Sequence, residues 1–428
     1  MQRASMVSLG AAALIAAALA PSSGAAPALA QSQVTITVDT ASDVVDFGGA
    51  QTVADLPGPD GQTSLREAAV ATTNTTGPDT IAFDVPTSDP GFDGTGFTIR
   101  VDPASTGEQL TLGDDGTTLD ATTQPGGYPI TVQGSAAAMA DFRAGLVIAS
   151  SGNEVIGLGI RLYGFGVVVD SGAENVLGGL TVRDNRHGIQ VRGATVAGGN
   201  AVTNSTIRDN AMTGVGYINA TGATVSDNTI AGSGQSGILM FDTPNAEIAG
   251  NVITGNEQGI ALAGRYSEAG TASGNTIFGN RADGIEVNRP EGFTVTRNSI
   301  ADNGGLGIDL VGGRTDPSGV TRNSKGGPNF PQLRGATDQG GATAVEGHVD
   351  AADPASITVE LFASDAADPS GFGEGQTFVG TTTPDARGRF TATLPGGLAG
   401  KWLTATARYA SGTTSEFSEA VLVPVPNT

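Results

Sequence analysis

Short apolar segments with alternating polarity recur along the middle of the chain, and each begins with a glycine followed by Ile, Val or Leu. The glycines are Gly145, Gly166, Gly188, Gly214, Gly237, Gly259, Gly284 and Gly307, so successive segments are 21 to 26 residues apart. Alternation places every second side chain on one face of a strand. A regular period of this length is typical of a solenoid. We therefore predict stacked β-coils of about 23 residues, with their aliphatic side chains facing inward because only neighbouring coils can bury them.

An asparagine precedes most of these glycines by three or four residues. The column comprises Asn185, Asn210, Asn256, Asn280 and Asn303, with Ser233 and Tyr163 at the equivalent place in two coils. A side-chain amide carries both a donor and an acceptor, so stacked asparagines can bond to the coils above and below. We interpret the column as a structural ladder. The alternative is that it contacts a ligand.

Two other repeat architectures fit the sequence less well. A leucine-rich repeat carries several leucines and a helical segment in each unit, whereas leucine is sparse here and Gly, Thr and Val fill the repeat. The glycine-rich nonapeptide that binds Ca²⁺ inside its coils is also missing. The sequence therefore favours an all-β parallel β-helix without Ca²⁺ between its coils.

Both ends of such a solenoid need a cover, because they expose backbone edges. At the N-terminal end, Ser64 and Glu67 form a capping box, which predicts a helix over 64–73 that plugs the solenoid. Strands are predicted at 34–38, 80–83 and 98–101. Residues 31–143 would thus form the cap and the first coils, and residues 144–311 the regular repeats.

The C-terminal part has a different pattern. The segment 312–341 is rich in Gly, Pro and Asn and shows no repeat, so we interpret it as a linker. Short alternating segments then follow at 344–349, 356–362, 377–382, 389–394, 402–409 and 420–423. They predict a small antiparallel β-sandwich over 342–428. Trp402 is expected in its core, and an exposed sugar platform is the alternative.

The N-terminal segment predicts that the protein is exported, and the composition argues against disulfides and against nucleic acid as a partner. Arg3, an apolar run and the site Ala28-Leu29-Ala30 predict a signal peptide over 1–30. That run is too short for a comfortable membrane span, so no membrane span is expected. The chain has no cysteine and a formal charge of −22, which excludes disulfides and disfavours nucleic acid as a partner.

Several motifs resemble those of one family. Thr63-Ser64-Leu65-Arg66-Glu67-Ala68, followed by 77–83, is similar to the N-terminal motif of secreted β-helix proteins named for Cys-Ser-Leu-Arg-Glu-Ala, with Thr63 in place of the cysteine. The resemblance continues through 307–310, 327–331 and 368–376. It implies an extracellular, right-handed, pectate-lyase-like β-helix, and for most members it implies no settled activity.

One candidate site is a column of arginines. Arg161, Arg183 and Arg208 each follow an inward aliphatic residue, so they should stack on the outside of three successive coils. Like charges about 5 Å apart repel unless acids or an anionic ligand lie between them. Asp184 and Asp209 could neutralise the column. In the alternative, a carboxylated or sulfated glycan lies along it, with His187, Gln190 and Arg192 nearby.

A second candidate is the pair Glu286 and Asp309, which occupy outward positions on neighbouring coils. Paired carboxylates could hold Ca²⁺ or divide acid and base roles, or they could be solvated surface. No complete catalytic set appears. Only His187-Gly188 remains of the polygalacturonase-like elements, and Tyr163-Gly164-Phe165 is the only fragment similar to alginate epimerases.

Three functions remain open on this basis. We favour a secreted β-helix protein that presents a rigid surface for polysaccharide or cell-envelope contact. One alternative is a polysaccharide lyase or epimerase that acts on an acidic glycan, with Arg183, Arg208 and His187 as candidate catalytic residues. The other is an adhesin or surface-layer component. No cofactor is expected apart from Ca²⁺ as a candidate ion, and the sequence does not fix the oligomeric state.

Overall fold

Three parallel sheets, named A, B and C here, run side by side along the solenoid in a computed structural model. It describes residues 33–101, 109–170, 172–193, 198–264, 269–288, 292–311, 319–324 and 328–425. The predicted signal peptide lies outside these residues. Sheet A has ten strands, and sheets B and C have nine each, within the described part of the chain. The chain passes through A, B and C in turn, and each strand pairs with its equivalent in the next coil.

The strand bounds follow the repeat. Sheet A comprises Val34–Val38, Asp79–Phe83, Thr118–Asp120, Glu154–Ile156, Val176–Gly178, Ala201–Thr203, Thr224–Ser226, Glu247–Ala249, Thr271–Ser273 and Thr294–Thr296. Sheet B comprises Phe97–Arg100, Ile130–Gln133, Gly159–Arg161, Thr181–Arg183, Thr206–Arg208, Thr229–Ala231, Val252–Thr254, Thr276–Phe278 and Ser299–Ala301. Sheet C comprises Thr111–Leu112, Ala144–Ile148, Phe165–Asp170, His187–Arg192, Val215–Ile218, Ser236–Phe241, Gln258–Ala263, Ile285–Asn288 and Ile308–Val311. The all-β solenoid of about 23 residues per coil is therefore confirmed.

The core consists of the inward aliphatic residues of all three sheets, for example Val182, Val202 and Ile238, which are fully buried. Glycine occurs at the start of each sheet C segment for a steric reason. A Cβ on Gly188 would lie 2.3 Å from the carbonyl oxygen of Gly214 in the next coil. Only glycine allows the coils to approach this closely at that corner.

Asparagine side chains connect the coils at all three corners. At the corner between sheets B and C, the Nδ2 of Asn185 donates to Asn210 at 3.2 Å, and that of Asn256 donates to Asn280 at 3.1 Å. The corner between A and B has a second ladder through Asn228, Asn251, Asn275 and Asn298. The corner between C and A has a third through Asn153, Asn175 and Asn200. Of the three ladders, the one at the corner between sheets B and C is the ladder predicted from the sequence.

The N-terminal end is covered by helix α1, Leu65–Asn74, which buries Leu65, Ala68, Ala69 and Ala71. Ser64 caps it, since its Oγ accepts from the N–H of Glu67 at 3.1 Å. A second short helix, α2, spans Ala136–Ala140. Short 3-10 helices span Val53–Asp55, Ala121–Thr123, Pro125–Gly127 and Pro354–Ser356. None of the helices in the described residues is long and apolar enough to span a bilayer.

The C-terminal module consists of two antiparallel sheets. One comprises Gln332–Asp338, Ala342–His348 and Arg389–Pro395. The other comprises Thr358–Ser364, Thr377–Thr382, Trp402–Arg408 and Val421–Leu422. The segment 312–341, which we interpreted as a linker, therefore contains the strand Gln332–Asp338. This strand lies at the edge of its sheet and is bulged next to Gly335, so its sequence lacks a clear alternating pattern.

Candidate functional site

The three arginines of the predicted column lie side by side on sheet B. Arg183 is in register with Arg161 on one side and Arg208 on the other. The guanidinium groups of Arg183 and Arg208 each pair with the following aspartate, Asp184 or Asp209. Both aspartates have positive φ at the corner, a conformation that aspartate tolerates better than most residues. Much of the charge of this column is thus neutralised from within.

Arg161 differs from the other two members of the column. It forms none of the ion pairs found among the described residues, and its Nε is buried without a hydrogen-bond partner. The Oε1 of Gln133, the next residue along the column, is also buried without a partner.

His187, Gln190 and Arg192 lie on a different face. They occupy outward positions of the sheet C strand His187–Arg192, between the buried residues Gly188, Ile189 and Val191. The corner 184–186 separates them from Arg183. The structure therefore does not unite the six predicted glycan-contacting residues into one site but divides them between two faces.

On and beside sheet C, aromatic rings and guanidinium groups form a continuous series of contacts, in which one pair of rings is stacked. The rings of Phe165 and His187, which are register partners, are stacked with their centroids 4.9 Å apart. Phe142 lies 6.1 Å from Phe165. The guanidinium of Arg186 lies 4.2 Å from the centroid of Phe142, and that of Arg192 lies 4.7 Å from the centroid of Phe165. We call these five residues and Gln190, six in all, the aromatic-basic surface.

The aromatic-basic surface carries two guanidinium groups, and Asp170 is the register partner of Arg192 on the neighbouring coil. Neither Arg186 nor Arg192 takes part in the ion pairs among the described residues. The Nε of Arg192 donates to Gln190 at 2.9 Å, and the Nε of Arg186 is buried without a partner. Burial lowers the pKa of His187, and the two arginines lower it further. The imidazole is therefore neutral at neutral pH and stacks as an aromatic ring.

This arrangement suits an anionic ring-shaped ligand. Guanidinium groups bind carboxylate and sulfate through paired hydrogen bonds. Aromatic faces supply apolar contact area at low conformational cost. Phe142 is 47% exposed, so the stack is open to solvent at that end. All of its members except Phe142 and Arg186 lie on strands that the neighbouring coils hold on both sides.

The acidic candidates, Glu286 and Asp309, are register partners near the far end of sheet C. Gln258 donates a hydrogen bond to Glu286. Burial, together with the charges of Asp283 and Glu286, raises the pKa of Asp309 to about 6. Among the described residues, no three His, Cys, Asp or Glu side chains come together in a way that could hold a metal ion. What this pair offers is a carboxyl group that titrates near pH 6 beside a second carboxylate.

Three members of the aromatic-basic surface, Phe165, Arg186 and Phe142, were not predicted as site residues from the sequence. Phe165 and His187 each precede the glycine of a repeat, so aligning the repeats would have placed them in one column. Arg186 directly precedes His187, but the sequence does not indicate which way a corner residue points. Phe142 lies outside the repeat pattern, and only the fold brings it to Phe165.

The stacked coils of three parallel sheets define a right-handed parallel β-helix protein. A comparison with protein families agrees with this fold. Residues 165–324 match the family model described as right handed beta helix region. No curated protein sequence shows significant similarity to the chain.

Several solved structures match parts of the chain at low identity and low TM-score. One is the periplasmic alginate epimerase AlgG, at 16% identity and a TM-score of 0.38, with 57% of this chain and 66% of that chain covered. Another is pectate lyase Pel9A, at 16% identity and a TM-score of 0.32, with 64% and 72% covered. A third is tailspike protein 2 from an Escherichia coli O157:H7 bacteriophage, at 11% identity and a TM-score of 0.36, with 83% and 66% covered. The chain spans about two thirds of the length of the epimerase and the tailspike.

Proposed function

We propose that this is a secreted β-helix protein whose rigid outer face binds an extracellular polysaccharide or cell-envelope glycan with acidic groups. The observation that carries the proposal is the aromatic-basic surface. It combines two guanidinium groups that form none of the ion pairs among the described residues with three neighbouring aromatic rings, of which Phe165 and His187 are stacked, on a protein whose overall charge is −22. A positive surface on such an acidic protein attracts anions locally, although the molecule as a whole repels them.

Binding is better supported than catalysis. The residues considered for a lyase or epimerase, Arg183, Arg208 and His187, lie on two faces, and Arg183 and Arg208 are paired with neighbouring aspartates. A general base must reach the proton that it removes, with other catalytic groups around the same atom. No such convergence supports the lyase reading.

Affinity electrophoresis tests the proposal. The full chain should be retarded in gels that contain polygalacturonate, alginate or heparin and not in gels that contain neutral dextran. Arg186→Gln/Arg192→Gln should weaken retardation at least tenfold, because hydrogen bonds to charged groups contribute roughly 1.5–3 kcal/mol each. Phe165→Ala should weaken it less. Added salt should weaken binding by the unaltered protein.

Arg208→Gln is the matched control, since Arg208 is an exposed arginine of the same solenoid that already pairs with an aspartate. Equal retardation of the double variant and the unaltered protein would contradict the proposal. Incubation with the same glycans, with and without Ca²⁺, tests the lyase alternative. Unsaturated uronate products that disappear in Arg183→Ala would replace binding with lyase activity as the function.

A further inference from the structure

A cleft of about 400 Å³ lies between the last coil of the solenoid and the C-terminal module. Four carboxyl side chains line it, together with the only tryptophan of the protein. These residues are Asp302, Asp365, Asp368, Glu374 and Trp402. Among the described residues, no Lys, Arg or His side chain lines the cleft. Its charge is thus opposite to that of the aromatic-basic surface.

The walls of the cleft are held in place from both sides. The Oε1 of Glu374 accepts from the backbone N–H of Asn303 at 3.1 Å and from its Nδ2 at 2.7 Å, which fixes this wall to the asparagine ladder. The Oδ1 of Asp368 accepts from the N–H of Ser370 at 2.8 Å. Lys401 pairs with Asp365 and neutralises one of the four carboxylates. The other three carboxyl groups form no ion pair among the described residues, and because burial raises the pKa of Glu374 to about 7, the negative charge of the cleft at neutral pH comes mainly from Asp302 and Asp368.

Trp402 provides the aromatic wall. We expected it in the core of the module, but it is half-buried and lines the cleft instead. Its ring makes none of the aromatic or cation–π contacts found among the described residues. Strand Trp402–Arg408 pairs with Thr358–Ser364, so the sheet fixes the backbone that carries the indole.

We infer that this cleft binds an organic ammonium group, either a protonated amine or a quaternary ammonium. An indole face attracts a cation through its quadrupole, and Trp is the strongest of the aromatic side chains in this respect. The carboxylates that line the cleft add ionic attraction, and its enclosed volume excludes part of the solvent that would screen it. The ligand could be an amino group of a glycan or a free amine, since both present the same charge. This inference rests on different residues from the proposed glycan surface and does not depend on it.

The single tryptophan supplies the readout. Emission of Trp402 in the full chain is recorded during titration with choline chloride, spermidine and oligomers of glucosamine, all at constant ionic strength. Matched uncharged probes are 3,3-dimethylbutanol and oligomers of N-acetylglucosamine. A saturable change with the ammonium compounds and not with the uncharged probes supports the inference. An identical response to charged and uncharged probes, or none to any, overturns it.

Asp368→Asn should weaken ammonium binding at least fivefold, because it removes one of the unpaired charges from the cleft wall. Glu346→Gln is the matched control, since Glu346 is exposed on the other sheet of the module and should leave binding unchanged. Thermal melting establishes that both variants fold. Unchanged affinity in Asp368→Asn overturns the inference. Tighter binding of the glucosamine oligomers than of choline and spermidine assigns the cleft to a glycan amine, and the reverse order assigns it to a free amine.

Discussion

The two ends of the solenoid are covered by different chemistry. At the N-terminal end, helix α1 places apolar side chains over the first coil, and its charged residues bond to the preceding segment: Arg66 to Asp43 at 2.7 Å and Glu67 to the N–H of Asp46 at 2.9 Å. At the C-terminal end, the module inserts buried carboxylates against the last coil. Glu374 accepts from Asn303, Glu360 from the N–H of Arg297 at 3.0 Å, and Glu416 from the N–H of Leu310 at 2.9 Å.

The direction of the asparagine ladders explains the difference. The backbone N–H and Nδ2 of Asn256 both donate to Oδ1 of Asn280 in the following coil, and those of Asn280 donate to Asn303 in the same way. Each coil therefore leaves donors for the next one. The last coil has no successor, so its donors need acceptors from elsewhere, and a carboxylate supplies acceptors only. At their N-terminal ends the ladders present acceptors instead, since Oδ1 of Asn153 accepts from the N–H of Thr117 at 2.9 Å and Oδ1 of Asn185 from that of Tyr163 at 3.0 Å. The ladder donors point away from this end, which an apolar helix face can therefore cover.

The C-terminal cover also has an apolar part, and removing it should produce the largest effect. Phe417 is buried within the same apolar cluster as the solenoid core. Phe417→Ala should destabilise the cover by about 3–5 kcal/mol, as is typical for a buried phenylalanine. Limited proteolysis should then cleave the C-terminal module first. Phe241→Ala, which alters a phenylalanine that is 41% exposed on sheet C, is the control. Equal protease resistance of the two variants would show that the module does not depend on this contact.

Replacing Glu67 at the N-terminal end or Glu374 at the C-terminal end by glutamine should reduce the free energy of unfolding by different amounts. Glu67 uses both oxygens, one for the N–H of Ser64 and one for that of Asp46, whereas Glu374 receives both bonds of Asn303 on Oε1. A glutamine offers one carbonyl oxygen. Glu67→Gln should therefore cost about 1–3 kcal/mol, since it leaves a buried N–H unsatisfied. Glu374→Gln should cost less, and chemical denaturation of both variants compares them. A larger loss in Glu374→Gln would contradict the assigned geometry.

The C-terminal end should also respond to pH. Burial raises the pKa of Glu374 and of Glu416 to about 7, despite the hydrogen bonds that lower it, and nearby Asp368 and Asp309 raise it further. Between about pH 4.5 and 7 the folded state then binds more protons than the unfolded state, so the free energy of unfolding falls as pH rises through this window. The slope is at most about 1.4 kcal/mol per pH unit for each group.

Hydrogen exchange measured at pH 5 and at pH 8, with rates corrected for intrinsic pH dependence, should show weaker protection of the module at pH 8. In Glu374→Gln/Glu416→Gln the difference should shrink, because the two titrating groups are gone. An unchanged difference would assign the pH response to other groups, of which half-buried Asp309 would be the first to consider.

Regularity decided which features the sequence could predict. The coil period, the glycine column, the ladder through Asn185 and Asn303, and the register of Arg161 with Arg183 all depend on residues one coil apart, so aligning the repeats was sufficient. The ladders at the other two corners are equally regular, and the same alignment of repeats places their asparagines in columns. The C-terminal carboxylates were not predictable in this way, because Glu360, Glu374 and Glu416 lie 63 to 106 residues from the groups that they bond. Phe142 lies only one coil before Phe165, but it is not the register partner of Phe165, which is Ala144, so aligning the repeats does not bring the two rings together.

At one position inside the solenoid, ladder donors lack a side-chain acceptor, as those of the last coil would without the C-terminal module. Ser233 occupies the ladder position between Asn210 and Asn256, but its Oγ is buried without a hydrogen-bond partner. Its backbone N–H still donates to Asn256 Oδ1 at 2.9 Å. Toward Asn210, however, the ladder is interrupted, because serine has no amide oxygen at the required distance. The donors of Asn303 meet Glu374, whereas those of Asn210 meet no side-chain acceptor in the next coil.

Ser233→Asn should therefore stabilise the protein, by about 0.5–1.5 kcal/mol for a completed hydrogen bond. The space exists, because Gly214 faces Ser233 just as Gly188 faces Asn210 and Gly237 faces Asn256. The preceding residue, Gly232, also has the positive φ that Asp209 has before Asn210. The midpoint of thermal unfolding should rise in Ser233→Asn and fall in Ser233→Ala/Asn256→Ala. A lower midpoint in Ser233→Asn would mean that hydrogen bonds along the ladder do not stabilise this corner. The carboxylates at the C-terminal end would then need an explanation from packing rather than from the ladder donors.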